Sequence, residues 1–330
     1  MKKSWIYWLL PCAWLAVSAC SDDEGGKASL QNELIKRTVS PLVAGERIEF
    51  AYAAGLPGGK LQSVRAEASA AGAAGTGFEP YAWRTENGTD VSTEAARDCL
   101  THGAVSTAVV IDAEAVTLRY GYVIPPELKG KEVSFVFSAV SQSGETVEFG
   151  TPAYRVSNME MAKGIALSGA PDGARYFSIA DMKAYTRQEV ESGNLADRVD
   201  FVYGYAAKKS VGDKSYAYKH AFFSPAAEAY YPDGFAWPAG WTKNRTLMEK
   251  KLYVWDGQLK EDKNNAIYVD DMDLQRQSFG NAADYVLDLK AEGSVFMQSH
   301  DGRYAAYLYI NRVDDKGETV VVGVKRLEVL

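Results

Sequence analysis

Apolar and polar residues alternate along much of the first half of this chain. Arg47-Ile48-Glu49-Phe50-Ala51-Tyr52, Leu61-Gln62-Ser63-Val64-Arg65-Ala66-Glu67, Val116-Thr117-Leu118-Arg119-Tyr120-Gly121-Tyr122 and Val133-Ser134-Phe135-Val136-Phe137 all follow a period of two. That period buries one face of a sheet and wets the other, so each run predicts a β-strand. Turn residues separate the runs at Pro57-Gly58-Gly59, Asn87-Gly88, Pro125-Pro126 and Ser143-Gly144. About seven short strands spread over residues 34–157 predict an immunoglobulin-like β-sandwich. The Cys…Trp…Cys core of antibody domains is absent, so the predicted likeness is one of architecture. The stretch 68–77 is nearly all Ala and Gly and reads as a mobile loop, with Phe78, Tyr81 and Trp83 as an aromatic group beside it.

The pattern changes near Asn158. Ser178-Ile179-Ala180-Asp181-Met182 reads as a helix start, with Ser178 as the cap and Ile179, Met182, Tyr185 and Val190 as its apolar stripe. Gly193-Asn194 is the predicted stop. Strand patterns resume at Val199–Tyr203, Lys251–Trp255, Tyr285–Leu289, Tyr304–Ile310 and Thr319–Val324. Residues 158–330 therefore read as a β-rich (α+β) domain with one or two helices, and the whole chain as mainly β.

The N-terminus has a different build. Lys2 and Lys3 precede an apolar stretch from Trp5 to Val17, shorter than the roughly 20 residues that a membrane-spanning helix needs and broken by Pro11. This is the make-up of a signal peptide. It ends Val17-Ser18-Ala19-Cys20, an aliphatic residue, two small residues and a cysteine, which resembles the bacterial lipobox. The expectation is a signal over residues 1–19, cleavage before Cys20 and lipid on its thiol; an ordinary secretory signal is the other reading. Residues 20–33 read as a tether, and its acidic Ser21-Asp22-Asp23-Glu24 resembles the surface-export signal of Bacteroidota lipoproteins. Two or three acyl chains suffice for stable anchoring. The expected location is the outer membrane, with the body at the cell surface.

The net charge is −7, which argues against nucleic acid as a partner. Of the three cysteines, Cys12 would leave with the signal and Cys20 would carry lipid. Cys99 is then unpaired, either a small buried hydrophobe or a reactive thiol. The signal, the acidic tether, the immunoglobulin-like first half, and Tyr176-Phe177-Ser178-Ile179 leading into Asp181-Met182 with Val199-Asp200-Phe201-Val202-Tyr203 resemble a family of surface lipoproteins of gut Bacteroidota. The resemblance implies a fold and a compartment. It brings no activity and no catalytic residue.

Catalytic motifs are scarce. The histidines are His102, His220 and His300. Ser299 and Asp301 flank His300, but neighbours on a strand point apart, so the run is no hydrolase triad. There is no G-x-S-x-G elbow, no phosphate-binding glycine loop and no zinc motif, and no cofactor is expected. Asp271 and Asp273, in Asp270-Asp271-Met272-Asp273, are weak metal candidates that would share one face of a strand; solvated carboxylates at a strand end are the simpler reading. The best binding feature is Tyr230, Tyr231, Phe235, Trp237 and Trp241, set among Pro232, Gly234, Pro238 and Gly240. Such rings could form a platform for sugar rings, with Asp233, Lys243, Asn244 and Arg245 bonding the hydroxyls, or they could fold back and plug the core. The leading expectation is a non-catalytic surface lipoprotein that binds a glycan or another extracellular macromolecule. A structural or assembly subunit with a surface protein partner is the alternative, and a carbohydrate-active enzyme the third.

Overall fold

The computed structural model describes residues 29–260 and 267–330. The signal segment, Cys12, Cys20 and the acidic residues after it lie outside the described residues.

The first half is two antiparallel sheets packed face to face. One has the order β1 (Gln31–Lys36), β2 (Arg47–Gly55), β9 (Ala115–Val123) and β4 (Gly77–Phe78). The other runs β12 (Thr146–Gly150), β11 (Phe135–Ser141), β3 (Leu61–Ala68), β8 (Val105–Val110) and β7 (Ala96–His102). In immunoglobulin lettering, β1, β2, β9 and β4 stand at A, B, E and D, and β3, β11 and β12 at C, F and G. A two-stranded pair, β10 (Glu132–Val133) with β13 (Tyr154–Arg155), and a hairpin, β5 (Tyr81–Glu86) with β6 (Thr89–Glu94), complete it.

The alternation explains the core. Ile48, Phe50, Tyr52 and Ala54 of β2 face inward, as do Val116, Leu118, Tyr120 and Tyr122 of β9. Rings take the place of the antibody disulfide: Phe50 meets Phe135 at 4.9 Å, Tyr122 meets Phe135 at 5.0 Å and Tyr120 meets Phe137 at 5.4 Å. Such edge-to-face contacts add to the burial of each ring. The seven expected strands are an undercount. Strands β5, β6 and β7 are wet on nearly every residue, so they carry no apolar alternation to detect. The Ala/Gly stretch is fastened in place: the Tyr122 hydroxyl donates to the Ala70 and Ala71 carbonyls, and Ala73 N–H donates to Val123 O. Phe78 is buried, whereas Tyr81 and Trp83 lie exposed on the hairpin, Trp83 beneath the Arg119 guanidinium. Cys99 is a half-buried free thiol against the core, and burial pushes its pKa up.

The second half is also a pair of antiparallel sheets. One runs β14 (Glu160–Ser168), β23 (Thr319–Glu328), β22 (Tyr304–Asp314), β21 (Ser294–Gln298) and β19 (Leu247–Lys251). The other runs β16 (Lys183–Tyr185), β15 (Tyr176–Ser178), β17 (Phe201–Val211), β18 (Lys214–Phe223) and β20 (Tyr285–Val286). Phe177, Phe201, Tyr203 and Phe222 meet Val295, Met297, Leu308 and Val322 between them. Here the outer faces are covered too, so Tyr304–Ile310 is buried at seven successive positions. A strand buried on both faces reads as a continuous apolar run.

The helix of this half begins later than expected. Ser178 ends strand β15, and its hydroxyl accepts only a local bond from Asp181 N–H at 3.2 Å. Helix α1 is Arg187–Gly193, capped by Thr186 in a reciprocal box with Glu189 and stopped by Asn194 in the left-handed conformation. The expected strand over Lys251–Trp255 ends at Lys251, opposite Ser294, the first residue of its antiparallel partner β21. The chain then turns through Tyr253 at φ 66° and crosses the outer face of the β14–β19 sheet. Tyr285–Leu289 forms only the two-residue β20 before Asp288 turns it.

That crossing segment is held by a buried ion pair. Lys325 Nζ on β23 lies 2.6 Å from Asp256 Oδ2, and both side chains are fully buried. The other acceptor sites of Asp256 are filled by the N–H groups of Gln258, Leu259 and Val269 at 2.8, 3.0 and 2.8 Å, and Lys325 also donates to Val269 O at 2.9 Å. Burial lowers the Lys325 pKa, and Asp256 opposes that shift. The pinned segment packs Leu259, Val269 and Leu274 on Tyr307 and Tyr309, and brings them against Val43 of the first half. Gln258 Nε2 donates to Pro41 O at 3.1 Å across the same junction. Replacing Lys325 by Met leaves a buried carboxylate unpaired. It should lower unfolding free energy by about 3–5 kcal/mol, and adding Asp256→Leu should not restore the loss, because it strands the buried N–H groups of Gln258, Leu259 and Val269. Urea denaturation of both variants checks this; a single variant as stable as the wild type would refute it.

Candidate functional site

The aromatic segment lies on the outer face of the β16–β20 sheet. Gly204 of β17 makes room for it: a Cβ there would stand 2.7 Å from Pro232 Cγ and 3.1 Å from Phe223 Cε2. The Tyr231 hydroxyl donates to the Ser224 and Pro225 carbonyls, and Asn244 Nδ2 donates to Asp197 O and Val199 O. Tyr231 and Trp237 are buried in a cluster with Tyr176, Val202, Tyr218 and Phe223. Tyr230, half-buried, stacks on Tyr285 at 3.8 Å. Phe235 and Trp241 are half-buried, with Tyr176 touching Phe235, Trp237 and Trp241. The five rings thus do not form one flat row. Of the polar residues, Lys243 pairs with Glu228 and Arg245 with Asp284, while Asp233 pairs with Lys209.

Where this segment meets the sandwich edge, a cleft of about 610 Å³ opens. Phe235, Asp233 and Pro232 form one wall, and Arg175, Tyr176, Arg187, Tyr205 and Glu318 reach it from other elements. The Arg175 guanidinium lies 5.2 Å over the Phe235 ring and donates to Ala170 O at 3.0 Å. Burial pulls its pKa down. Arg187 pairs with Glu191 at 2.7 Å. Glu318 sits in the β22–β23 turn at φ 48°, and its carbonyl accepts from Gly169 N–H. The turn is latched at Asp315, which accepts from His220 Nε2 at 2.9 Å and Lys219 Nζ at 3.2 Å. Those two partners hold the Asp315 carboxyl below its usual pKa. His220 Nδ1 meets the buried Tyr203 hydroxyl at 2.6 Å, and burial raises that phenol's pKa.

The other candidates are apart from the cleft. Asp271 and Asp273 stand on a short helix, α2 (Asp271–Arg276), and not on a strand, because Asp270 caps it and Asp273 returns the bond in a capping box. Asp271 bridges to the first half, accepting from the Ser157 hydroxyl and, at 3.0 Å, from Asn158 N–H. No group of three or more metal-ligating side chains occurs among the described residues. His102 is exposed. His300 faces a partner that sequence adjacency could not suggest: its Nδ1 lies 3.8 Å from Oδ1 of the buried Asp200, in a hollow of about 270 Å³ with Asp197, Arg198, Asp301 and Arg303. Asp200 also accepts from Ile179 N–H at 2.6 Å and Thr246 Oγ1 at 3.3 Å. Arg175, Arg187, Tyr205 and Glu318 were not singled out from sequence. They belong to no motif, and a local pattern cannot reveal side chains assembled from separate strands, a helix and a turn.

A β-sandwich of immunoglobulin topology followed by a second sandwich with covered outer faces defines a two-part β protein. The chain belongs to the DUF4466 family. A family model described as "Domain of unknown function (DUF4466)" matches residues 27–156, and one described as "Domain of unknown function (DUF8576)" matches residues 157–329. The crystal structure of a DUF4466 family protein from Parabacteroides merdae, a gut Bacteroidota, is 32% identical with a TM-score of 0.83, covering 92% of this chain and 100% of that chain. The 35 kDa C-terminal fragment of the major pilin GBS80 of Streptococcus agalactiae is 11% identical with a TM-score of 0.28, covering 46% of this chain and 68% of that one. The sporulation control protein Spo0M of Bacillus subtilis is 12% identical with a TM-score of 0.21, covering 39% and 49%. The last two values carry no argument about this chain. No curated protein matches it.

Two expectations follow from this geometry. Trp237→Ala removes a buried ring and should lower stability by about 3–5 kcal/mol in chemical denaturation; a loss below about 1 kcal/mol would contradict its burial. His300 beside Asp200 has a pKa raised above its ordinary 6.5. The stability contributed by its charged form is complete below pH 6.5 and is lost as pH rises through the raised value. Burial also raises the Asp200 pKa, against the His300 contact and the Ile179 and Thr246 hydrogen bonds, and a raised pKa has the same sign for stability against pH. Stability should therefore fall with pH more steeply in the wild type than in His300→Gln. In an NMR titration the His300 midpoint should drop in Asp200→Asn, and an unmoved midpoint would sink the pairing.

Proposed function

We propose that this chain is a non-catalytic binding protein of the bacterial cell surface, anchored in the outer membrane by lipid on Cys20, whose cleft beside Phe235 takes a glycan or a similar segment of an extracellular macromolecule. The observation that carries the reading is the cleft's lining: partly accessible rings of Phe235 and Tyr205 beside Arg175, Arg187 and Glu318. Rings present a flat apolar face to the C–H side of a sugar, and the charged groups around them can bond its hydroxyls. The carboxylates support binding over cleavage. Hydrolysis of a glycosidic bond uses two acids in concert. Of the two that line this cleft, Asp233 is paired with Lys209, which leaves Glu318 alone. The relative from a gut bacterium fits a surface exposed to such polymers.

The test is a glycan-array screen of the soluble chain from Ser21 onward, beside Phe235→Ala and Trp241→Ala. Specific binding should weaken roughly tenfold in Phe235→Ala, with circular dichroism unchanged. Failure of the folded wild type to bind any glycan would refute the reading. So would turnover of a bound glycan, as far as the non-catalytic part is concerned.

A further inference from the structure

The class of sugar can be argued from Arg175, on the reading of the cleft as a glycan site. A guanidinium has five N–H donors in a rigid fork. In Arg175 one of them reaches a backbone carbonyl, at Ala170, and Nε has no partner. No carboxylate among the described residues comes within ion-pair distance of it, and Glu318 acts on it only from farther off, although the residue is only 9% exposed. A buried charge left unpaired is costly. The usual remedy is a counter-ion, and Arg187, the other cation of the cleft, already has one in Glu191. The Phe235 ring supports the Arg175 fork, fixing its plane, and the same residue lines the cleft void.

We infer that the ligand is an acidic glycan whose sugar carboxylate pairs with Arg175, seated on the Phe235 ring at the floor of the cleft. A planar carboxylate matches the fork in a two-bond pairing that a neutral hydroxyl or a point charge does not reproduce. The sugar ring then lies against Tyr205 and Phe235. Glu318, on the rim, is free to accept from a sugar hydroxyl but would repel the acid if placed too near, so its removal should not weaken binding of the acidic form.

The ligand side gives a test that does not depend on the folding of a variant. The soluble chain is titrated by calorimetry with a short oligogalacturonide and with the same oligosaccharide after reduction of its carboxyls to alcohols. The acidic form should bind at least about tenfold more tightly, with affinity falling as salt rises. Arg175→Gln should abolish that preference, Arg175→Lys should keep only part of it, and Glu318→Gln should leave binding equal or tighter. Equal affinity for the acidic and reduced forms overturns the inference while leaving the cleft as a glycan site, as does a preference for sulfated over carboxylated sugars. Binding that persists unchanged in Phe235→Ala places the sugar elsewhere and overturns the cleft reading itself.

Discussion

The arrangement of the second half rests on the Lys325–Asp256 pair. Two opposite charges with no access to water are stable only when nearly every lone pair and proton has a partner. Asp256 meets this demand with three backbone N–H groups and the ammonium, and Lys325 adds the Val269 carbonyl. These bonds hold the segment's described residues 256–260 and Val269 on the outer face of the β14–β19 sheet. With that segment in place, Leu259 and Val269 cover Tyr307 and Tyr309, and α2 lies where Asp271 can bridge to Ser157 and Asn158. The pinned layer forms one part of the junction between the two sandwiches, which the Lys163–Glu46 and Lys129–Glu160 pairs also bridge.

The two sandwiches use their outer faces differently. In the first, the outer faces of β2 and β9 carry partly or fully exposed residues, and alternation survives in the sequence. In the second, the pinned segment clads one sheet, and α1 with the aromatic segment clads the other. Covering both faces concentrates rings where they would otherwise be solvent-exposed. Tyr231 and Trp237 are spent on this cover, and Phe235 stands at its margin, where the cover ends and the cleft begins. A structural layer and a candidate binding wall are therefore the same stretch of chain.

The cleft depends on parts that are far apart in sequence. Arg175 leads into β15, Arg187 opens α1, Tyr205 lies on β17, and Glu318 is on the β22–β23 turn. The turn is latched through Asp315 to His220 and Lys219 of β18, and His220 leans on Tyr203 of β17. The position of Glu318 is in this way set by a chain of bonds from the sheet beneath it. The Asp200–His300 contact has the same character, since 100 residues separate its members and Ser299 and Asp301, which flank the histidine, bond to each other instead.

The local physics of the chain was legible without coordinates. Alternating residues have to place one set of side chains in the core and the other in water, so Arg47–Tyr52 and Val116–Tyr122 declared their strands and their inward faces, whereas in Leu61–Glu67 the buried Leu61 is out of phase with Val64 and Ala66 across a register shift. Asn194 declared the end of α1 because a left-handed residue closes a helix cheaply there. The tertiary structure decided whatever local preference leaves degenerate. Ser178 and Thr186 can both cap a helix, and the pairing of Tyr176 and Phe177 with β17 took Ser178 into a sheet. Asp270–Asp273 could end a strand or begin a helix, and the bridge to Ser157 and Asn158 accompanies the helix. Five aromatic rings could be a platform or a plug, and contact with Tyr176 and Tyr218 buried two of them. Arg175 carried no signal at all, because its burial beside Phe235 without a carboxylate at ion-pair distance arises only when separate elements fold together.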